Sequence, residues 1–224
     1  MSLRLRAALS TVALLIGAVM AWSSGFARAN DAPPRPFDSY ILALSWSPTY
    51  CLSPKASPAQ CDTGQPRGFV VHGLWPDGAS SRAGFCQSPA PYVPEPVISA
   101  MIDLMPSKGL ILHEWRRHGT CSGLTPELYF KTVRAAAGRV IVPNQLRAPT
   151  DPVSLTAAEV EAAFLAANPG LRSDMIDVEC ASGRLKEVRI CLSRDLGFVA
   201  CARQDRRSCA ADRVLKLPAP GAHP

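Results

Sequence analysis

Hydrophobic residues follow a strand-like pattern in the first part of the chain. Between residues 40 and 46 every second side chain is large and apolar, a period of two that is typical of a strand with one buried face. Pro48 ends this strand because proline has no backbone N–H to donate to a neighbouring strand. A short apolar run at 68–72 predicts a second, buried strand, which Gly73 and Pro76 stop.

The middle of the chain carries helical patterns instead. Pro126 follows Thr125, which predicts a helix with threonine as its N-cap and proline in its first turn. Thr156 and Glu159 have the spacing of a capping box, and Asn168 stands where the helix that they open should end. The helices are predicted over residues 95–104, 110–121, from 126 onward, and 156–167.

Strand patterns return in the last third of the chain. The segments 176–180, 185–192 and 198–202 are predicted to be strands joined by turns, and 217–224 is predicted to be a frayed tail. Strands, then helices, then strands without regular alternation favour an α+β fold over a doubly wound parallel sheet. The expected architecture is a central antiparallel β-sheet flanked by several α-helices.

The N-terminus has the three parts of a secretory signal peptide. Arg4 and Arg6 precede an apolar run at 7–22, and the small residues Ala27 and Ala29 flank a cleavage site. The alternative is a retained membrane anchor, but a run of 16 residues is shorter than the ~20 needed to span a bilayer. We therefore expect residues 1–29 to be removed and residues 30–224 to form one domain, exported to the periplasm or outside the cell.

Composition excludes a disordered chain, and the net charge does not by itself identify a nucleic-acid partner. With 47% hydrophobic and 19% charged residues, the 224-residue chain is not intrinsically disordered. The formal charge of +6 suggests a nucleic-acid partner, but cleavage after Ala29 removes three arginines and no acid, which leaves +3. A charge that small identifies no partner.

All eight cysteines follow the predicted signal peptide. An even number of cysteines in an exported chain indicates disulfides, here four of them, although eight cysteines allow 105 pairings. Zinc is the weaker alternative, since a zinc site usually has close C-x₂-C pairs and the nearest pair here is Cys201 and Cys209.

Three of the four histidines lie in two short segments. On a helix at 100° per residue, His113, Arg117, Glu114 and His118 fall within an arc of about 140°. Two imidazoles, a carboxylate and a guanidinium on one helix face are costly to bury without a task. The alternative is a solvated charged face. His72, at the end of a predicted strand, is by itself more often a structural histidine with a satisfied hydrogen bond.

The same helix does not fit a zinc protease. That motif requires histidines at i and i+4, whereas His113 and His118 are five residues apart and Arg117 occupies the place of the second ligand. Two histidines can instead act together as acid and base, because the unperturbed pKa of histidine lies near neutral pH.

The two segments resemble the catalytic signatures of the ribonuclease T2 family of secreted, metal-independent RNases. The first reads His72-Gly-Leu-Trp-Pro, and the second reads His113-Glu-Trp-Arg-Arg-His118-Gly-Thr-Cys121. The resemblance extends over residues 40–209, nearly all of the expected mature chain. It implies that this chain is an endoribonuclease of the same type.

Residue roles follow from the resemblance. It implies that His118 is the general base for the ribose 2′-hydroxyl and that His72 is the general acid for the leaving 5′-oxygen. Glu114 supports the phosphate chemistry, and His113 binds the phosphate. Arg117 stands where the family usually has lysine, which keeps the charge but replaces a compact ammonium with a planar fork.

The resemblance also implies the contacts to the bases. Trp75 and Asp77 match positions that stack against and hydrogen-bond a base, although Trp75 is equally compatible with a plain core aromatic. Leu110 and Ala83 replace aromatic residues that the family often has. Weaker stacking and low base specificity are therefore expected.

The resemblance finally implies a disulfide pairing and a complete reaction. The reaction converts single-stranded RNA through a 2′,3′-cyclic phosphate to 3′-phosphate ends, with no metal or cofactor. Because no segment after the signal is long and apolar enough to cross a membrane, we separately expect no membrane partner after signal cleavage, and we expect a monomer. The competing hypothesis is a non-catalytic secreted binding domain, which would bind RNA or protein without cleavage; the enzyme hypothesis fails if His72 and His118 do not face one cleft. The implied disulfides are Cys51–Cys61, Cys86–Cys121, Cys180–Cys209 and Cys191–Cys201.

Overall fold

The computed structural model describes most of the chain after the predicted signal peptide. The predicted signal peptide at 1–29 lies outside the described residues, and so does Ala83, which the resemblance places where the family often has an aromatic residue. Within the described part of the chain, no helix has the length and apolar character that crossing a membrane requires. The described residues are 37–54, 56–62, 64, 66–78, 84–147, 149–202 and 209–221.

Strands and helices are segregated as the sequence predicted, which confirms the α+β fold. Two 3-10 turns, Gly119–Cys121 and Ser173–Met175, accompany the longer elements. The strands are β1 (Ser39–Trp46), β2 (Phe69–Asp77), β3 (Val153–Thr156), β4 (Ile176–Ala181), β5 (Arg184–Ser193) and β6 (Val214–Leu217). The helices are α1 (Ser47–Cys51), α2 (Pro58–Cys61), α3 (Glu95–Ser99), α4 (Lys108–Arg117), α5 (Pro126–Arg139), α6 (Asn144–Arg147) and α7 (Ala157–Ala167).

One sheet contains all six of these strands, in the order β2-β1-β5-β6-β3, with β4 also paired to β5. The pairings are antiparallel except for a parallel contact between β5 and β6. Leu42 and Leu44 of β1 share an apolar face with their partners Ile190 and Val188 of β5, and all four are buried in the core. The opposite face is polar, since Ser45 lies directly across from Glu187.

β2 lies at the edge of the sheet, but other elements cover its outer side. The Val71 N–H donates to the Leu104 carbonyl at 3.0 Å. The Tyr129 hydroxyl, from α5, donates to the Leu74 carbonyl at 2.8 Å. These bonds satisfy backbone groups that an exposed edge would leave unpaired. They also fix β2 against the helical layer.

The two predicted helix caps are present. The Thr125 side chain accepts from the Leu128 N–H at the start of α5. Thr156 and Glu159 form the reciprocal capping box at the start of α7, which satisfies two backbone donors that the helix itself leaves free.

Five details of the sequence-based prediction were wrong, one of them the end of the helix predicted over 110–121, which stops at Arg117. β2 does not stop at Gly73 but continues to Asp77. The segment 198–202 forms no strand but a single bridge from Phe198 to Leu192. The N–H groups of Val199 and Cys201 donate to two separate places, the carbonyls of Cys191 and Asp174, so that no continuous ladder forms. The helix predicted over 95–104 ends at Ser99 and continues as turns. Residue 217 is no frayed end, because Leu217 is buried in β6.

All eight cysteines are paired. The bond between Cys86 and Cys121 joins the irregular segment before α3 to the 3-10 turn after α4. The pairs in the structure are the same four that the family resemblance implies: Cys51–Cys61, Cys86–Cys121, Cys180–Cys209 and Cys191–Cys201.

Candidate active site

His72 occupies a β-bulge in β2. Gly73 pairs with Ala43 and Val71 pairs with Leu44, which leaves His72 as an extra residue without a partner in β1. A bulge bends its strand and re-aims a side chain. The imidazole of His72 reaches the polar face of the sheet, where its Nδ1 lies 2.6 Å from Oε2 of Glu187.

His118 lies just beyond α4, on the C-cap. The prediction that one helix runs through Cys121 was wrong, because α4 ends at Arg117 and a 3-10 turn begins at Gly119. Gly119 is required here, because a Cβ at this position would lie 2.3 Å from Cε3 of Trp115. The tight turn therefore sets the direction of His118, and helical periodicity alone does not.

The two histidines meet at the carboxylate of Glu114. This side chain is only 1% exposed, and its Oε2 accepts a hydrogen bond from the Trp75 indole N–H at 2.8 Å. Nε2 of His72 lies 3.6 Å from Oε1, and Nε2 of His118 lies 4.0 Å from Oε2. Two segments that are distant in sequence thus place two imidazoles around one acid, as a shared cleft requires.

Gly73 makes this approach possible. A Cβ on residue 73 would lie 2.2 Å from Oε2 of Glu114 and 2.5 Å from Nε1 of Trp75. The glycine after His72 is therefore needed because a carboxylate and an indole pass directly over the backbone of β2.

The electrostatic environment separates the two histidines. Burial lowers the pKa of His72, but the hydrogen bond with Glu187 and the charges of Glu187 and Glu114 outweigh it, so that the pKa is raised overall. Burial, with the nearby charges of Arg117, His72 and His113, lowers the pKa of His118 to about 3. His72 therefore favours the cation and His118 the neutral imidazole, which is the pattern of an acid and a base with divergent pKa values.

The carboxyl groups of the site are separated in the same way. Burial raises the pKa of Glu114 to about 7, against the opposing effects of His72, Trp75 and Arg117. Burial also tends to raise the pKa of Glu187, but His72 and Arg189 outweigh it and lower this pKa to about 2. Glu187 is thus the permanent anion of the site, whereas Glu114 exchanges a proton near neutral pH.

Two charged residues of the sheet, Glu187 and Arg189, belong to the site although no sequence motif marked them. Glu187 contacts His72 directly, and Arg189 bridges Glu187 to Glu179 with N–O distances of 2.7 and 2.8 Å. A signal was present, because Glu187 and Arg189 stand at alternate positions of β5 on either side of the apolar Val188, so that both charges share one face of the strand. A strand position of this kind points to a polar partner across the sheet.

His113 and Arg117 flank this cluster on α4. His113 is largely exposed, but the partial desolvation of its ring, followed by the charges of His72, Arg116 and Arg117, lowers its pKa. The Arg117 guanidinium lies 5.0 Å from the centre of the Phe85 ring, and the Arg117 carbonyl accepts from the Phe85 N–H at 2.9 Å. The Cys86–Cys121 disulfide holds this neighbouring segment to the end of α4.

Trp75 has several partners within the protein. Its ring lies 5.2 Å from the ring of His118 and 5.3 Å from that of His72, and the Arg189 guanidinium lies 5.0 Å from its centre. These contacts, with the bond to Glu114, make Trp75 a spacer between the two histidines. Asp77 lies at the end of β2, roughly 15 Å farther along the strand than His72, and outside this cluster.

A cavity of about 480 Å³ opens beside the cluster. His72, His113 and Leu110 are among the residues that line it. Among the described residues, no group of three or more His, Cys, Asp or Glu side chains is arranged to hold a metal ion. The other lining residues are Ser45, Thr49, Tyr50, Ser53, Gln60, Val70, Ser107, Gly109, Ala181 and Lys186.

Sequence comparison identifies related proteins. Residues 37–201 match the model of the Ribonuclease T2 family. The chain is 34% identical over 124 residues to a probable ribonuclease of Haemophilus influenzae and 38% identical over 116 residues to a ribonuclease of Aeromonas hydrophila. These alignments cover 49% and 51% of this chain, and 46% and 51% of the two relatives, about half of their length. Ribonuclease DdI of Dictyostelium discoideum is 26% identical over 96% of this chain and 99% of its own.

Solved structures share the fold. A structure of trichomaglin, an S-like ribonuclease, superposes with a TM-score of 0.65 at 23% identity, over 81% of this chain and 98% of that one. The SF11-RNase of Nicotiana alata superposes with a TM-score of 0.62 at 18% identity, over 81% of this chain and 99% of that one. At these identities the likeness establishes the arrangement of helices and sheet.

Proposed function

Because the chain belongs to the Ribonuclease T2 family, we propose that it is an endoribonuclease that cleaves single-stranded RNA through a 2′,3′-cyclic phosphate. One observation carries the proposal: His72 and His118 both lie within 4.0 Å of the Glu114 carboxylate, with opposite preferences for the proton. A non-catalytic binding domain would not need this convergence.

The first step is an internal displacement at phosphorus. Neutral His118 takes the proton of the ribose 2′-hydroxyl, and the 2′-oxygen forms a bond to the adjacent phosphorus. The bond from phosphorus to the 5′-oxygen breaks, and the His72 cation donates its proton to that oxygen. The nucleophile belongs to the substrate and is already adjacent, which supplies much of the rate advantage.

The second step reverses the proton transfers. His72, now neutral, takes a proton from water, which attacks the cyclic phosphate. His118, now protonated, returns its proton to the 2′-oxygen, and a 3′-phosphate remains. At the end of the cycle His72 is again protonated and His118 is again neutral, which are the protonation states that their surroundings favour.

The phosphate needs stabilisation of its developing negative charge. Arg117 and His113 stand on α4 beside the histidine pair, and the Arg117 guanidinium offers a planar fork that binds phosphate oxygens in a bidentate manner. Glu114 in its protonated form can also donate a hydrogen bond to a phosphate oxygen, which its raised pKa of about 7 favours. These groups support a mechanism that uses no metal or other cofactor.

Base selection is proposed to be weak. Trp75 and Asp77 hold the base-binding positions that the family resemblance implies, but Trp75 already contacts His72, His118 and Arg189. Leu110 offers the neighbouring cavity an aliphatic surface instead of an aromatic one. Stacking that tolerates every base and an aliphatic wall both favour broad specificity.

End-group analysis tests the activity. Incubation of the mature protein with a single-stranded RNA of mixed sequence in EDTA is expected to give internal cuts at all four bases, first with 2′,3′-cyclic phosphate ends and later with 3′-phosphates. DNA of the same sequence should stay intact because it lacks the 2′-hydroxyl. Cuts in DNA, 5′-phosphate ends or loss of cleavage in EDTA would each contradict the proposal.

Export and assembly complete the proposal. The predicted signal at 1–29 and four disulfides suit an oxidising compartment, either the periplasm or the medium. Residues 30–224 are proposed to act as one monomeric domain. Cell fractionation with N-terminal sequencing tests the export, and sedimentation of the secreted form tests the monomer.

A further inference from the structure

A buried carboxylate lies against the Nδ1 side of His72, opposite the Nε2 side that faces Glu114. We propose that Glu187, held by Arg189, is the positioning residue of His72: it orients the imidazole and keeps it protonated for the acid step. Neither residue belongs to the two signature segments of the sequence. The inference rests on the proposed function, in which His72 is the general acid.

Every oxygen of the Glu187 carboxylate has a protein partner. Its Oε2 lies 2.6 Å from Nδ1 of His72 and accepts from the Ser45 hydroxyl at 3.2 Å. Its Oε1 accepts from Nε of Arg189 at 2.7 Å. The residue is 0% exposed, so that water does not compete for these bonds.

Arg189 connects this carboxylate to a second buried acid. Its Nη1 donates to Oε1 of Glu179 at 2.8 Å, and Glu179 is 1% exposed. The guanidinium also lies 5.0 Å from the centre of the Trp75 ring. The Arg189 guanidinium is thus held by carboxylates of two strands, β4 and β5, and by the indole. Because it is held in this way, it fixes the position of the Glu187 carboxylate that contacts His72.

The contact determines which nitrogen of His72 is free to react. A histidine that donates its Nδ1–H to a carboxylate has a fixed ring orientation, and its Nε2 is left for chemistry. Nε2 of His72 lies 3.6 Å from Oε1 of Glu114, on the side of the proposed phosphate site. Without Glu187 the ring could turn and present the wrong atom.

The charges of the group favour a cationic His72. Glu187 and Glu179 carry two negative charges and Arg189 carries one positive charge, so that these three side chains hold one excess negative charge in the protein. Protonation of His72 brings the four side chains to neutrality. A buried charge that loses its partner is costly, and the carboxylate therefore disfavours loss of the His72 proton.

Other charged groups also face His72. Glu114 from α4 adds a second carboxylate at 3.6 Å, whereas Lys186 of β5 opposes the cation. His113 and His118 on the α4 side interact with His72 as like charges when protonated. The net direction is a raised pKa of His72, and Glu187 is the partner in closest contact.

Titration of His72 by NMR tests the proposal without reference to substrate. The resonance is assigned by its loss in His72→Ala, and its pKa is measured in wild type, Glu187→Gln and the control Glu95→Gln, whose carboxylate pairs with exposed Lys108. The Gln variant should lower the pKa of His72 by about 1–2 units, with the basic limb of kcat/KM displaced equally. The control should match wild type in both.

The conservative variant separates position from charge. Glu187→Asp keeps the carboxylate but withdraws it, and we expect a pKa of His72 between those of wild type and the Gln variant, with a lower kcat at unchanged KM. If Glu187→Gln does not fold, this variant decides alone. If the folded Glu187→Gln variant, or Glu187→Asp where the Gln variant does not fold, has the same pKa of His72 and the same kcat as wild type, the proposal is overturned. If the wild type cleaves no RNA, the proposed function fails, yet the titration still shows whether Glu187 controls His72.

Discussion

At the scale of single residues, the two signature segments contain more than the reacting groups. Gly73 lets Glu114 and Trp75 approach the backbone of β2, and Gly119 lets the chain turn sharply after His118. Neither glycine has a side chain that could take part in the chemistry. Their value is steric, since each lies where a Cβ would meet another atom at less than 2.5 Å.

Replacing Gly73 with alanine should damage the site more than the fold. The new Cβ would start 2.2 Å from Oε2 of Glu114 and displace this carboxylate from between the histidines. A misplacement near 1 Å costs about 100-fold in rate, and overpacking costs about 1–3 kcal/mol of unfolding free energy. Steady-state kinetics and urea denaturation measure the two effects.

Gly138→Ala is the matched control. Gly138 lies inside α5, and a Cβ there meets nothing within 4 Å. This variant should keep full activity and gain about 0.5–1 kcal/mol, because alanine is the better helix former. Equal activity in Gly73→Ala and Gly138→Ala would refute the steric role of Gly73.

The residue scale is also where the sequence was most and least informative. The segments containing His72 and His118 could be found because rare residue types stand close together in a pattern. Glu187 and Arg189 were missed because their role depends on a strand pairing that brings residue 187 across from residue 45. The bulge at His72 was equally invisible, since its only mark is a change of register between two strands.

At the scale of elements, the site is assembled from the polar face of the sheet and the end of α4. Apolar patterns predicted β1 and the main part of β5, and the capping motifs at Thr125 and Thr156 predicted the starts of α5 and α7, because these features depend on neighbours along the chain. β3 and β6 were not predicted, because each has only four residues and a pattern this short does not identify a strand; the two strands pair with each other. Burial of Leu215 and Leu217 against the core stabilises β6.

The Cys86–Cys121 bond is expected to maintain this assembly. Removing it with a Cys86→Ala and Cys121→Ala double substitution opens a loop of 35 residues, which costs about 4 kcal/mol in the chain-entropy account. Because this bond holds the segment at Phe85 to the end of α4, kcat/KM should fall at least about tenfold, measured well below the melting temperature of the variant.

The Cys180–Cys209 bond provides a comparison of similar loop length. It spans 29 residues and joins β4 to the segment before β6, so that its removal should cost about the same free energy. Activity should be retained in the folded Cys180→Ala and Cys209→Ala double variant. If both double variants lose activity equally, the disulfide at α4 has no special role in the site.

At the scale of the whole molecule, the distribution of charge sets a working range of pH. The base His118 must be neutral, and its pKa is lowered to about 3. The acid His72 must be protonated, and its pKa is raised above 6.5. Glu187 contributes stability over most of this range, because its pKa is lowered to about 2 and the contribution is lost only as the pH falls from 4.5 through that value. His118 acts in the opposite direction, because its lowered pKa means that the unfolded chain takes up the proton first as the pH falls below 6.5.

We therefore expect a bell-shaped profile of kcat/KM with a broad, mildly acidic optimum. Activity should fall below about pH 3 as His118 gains a proton, and at higher pH as His72, whose pKa is raised, loses one. Initial rates on a dinucleotide between pH 3 and 9 measure both limbs, with circular dichroism as the control for folding. An optimum on the alkaline side of neutrality would contradict the assignment of acid and base.

The most direct test of the account separates the two histidines by the leaving group. A ribonucleotide 3′-phosphate esterified with p-nitrophenol releases a phenolate that needs no proton, whereas a dinucleotide releases a 5′-alkoxide that does. His72→Ala should lose about 10²–10⁴-fold on the dinucleotide but little on the nitrophenyl ester, and His118→Ala should lose activity on both. Equal losses of His72→Ala on the two substrates, or full activity of His118→Ala on either, would contradict the account.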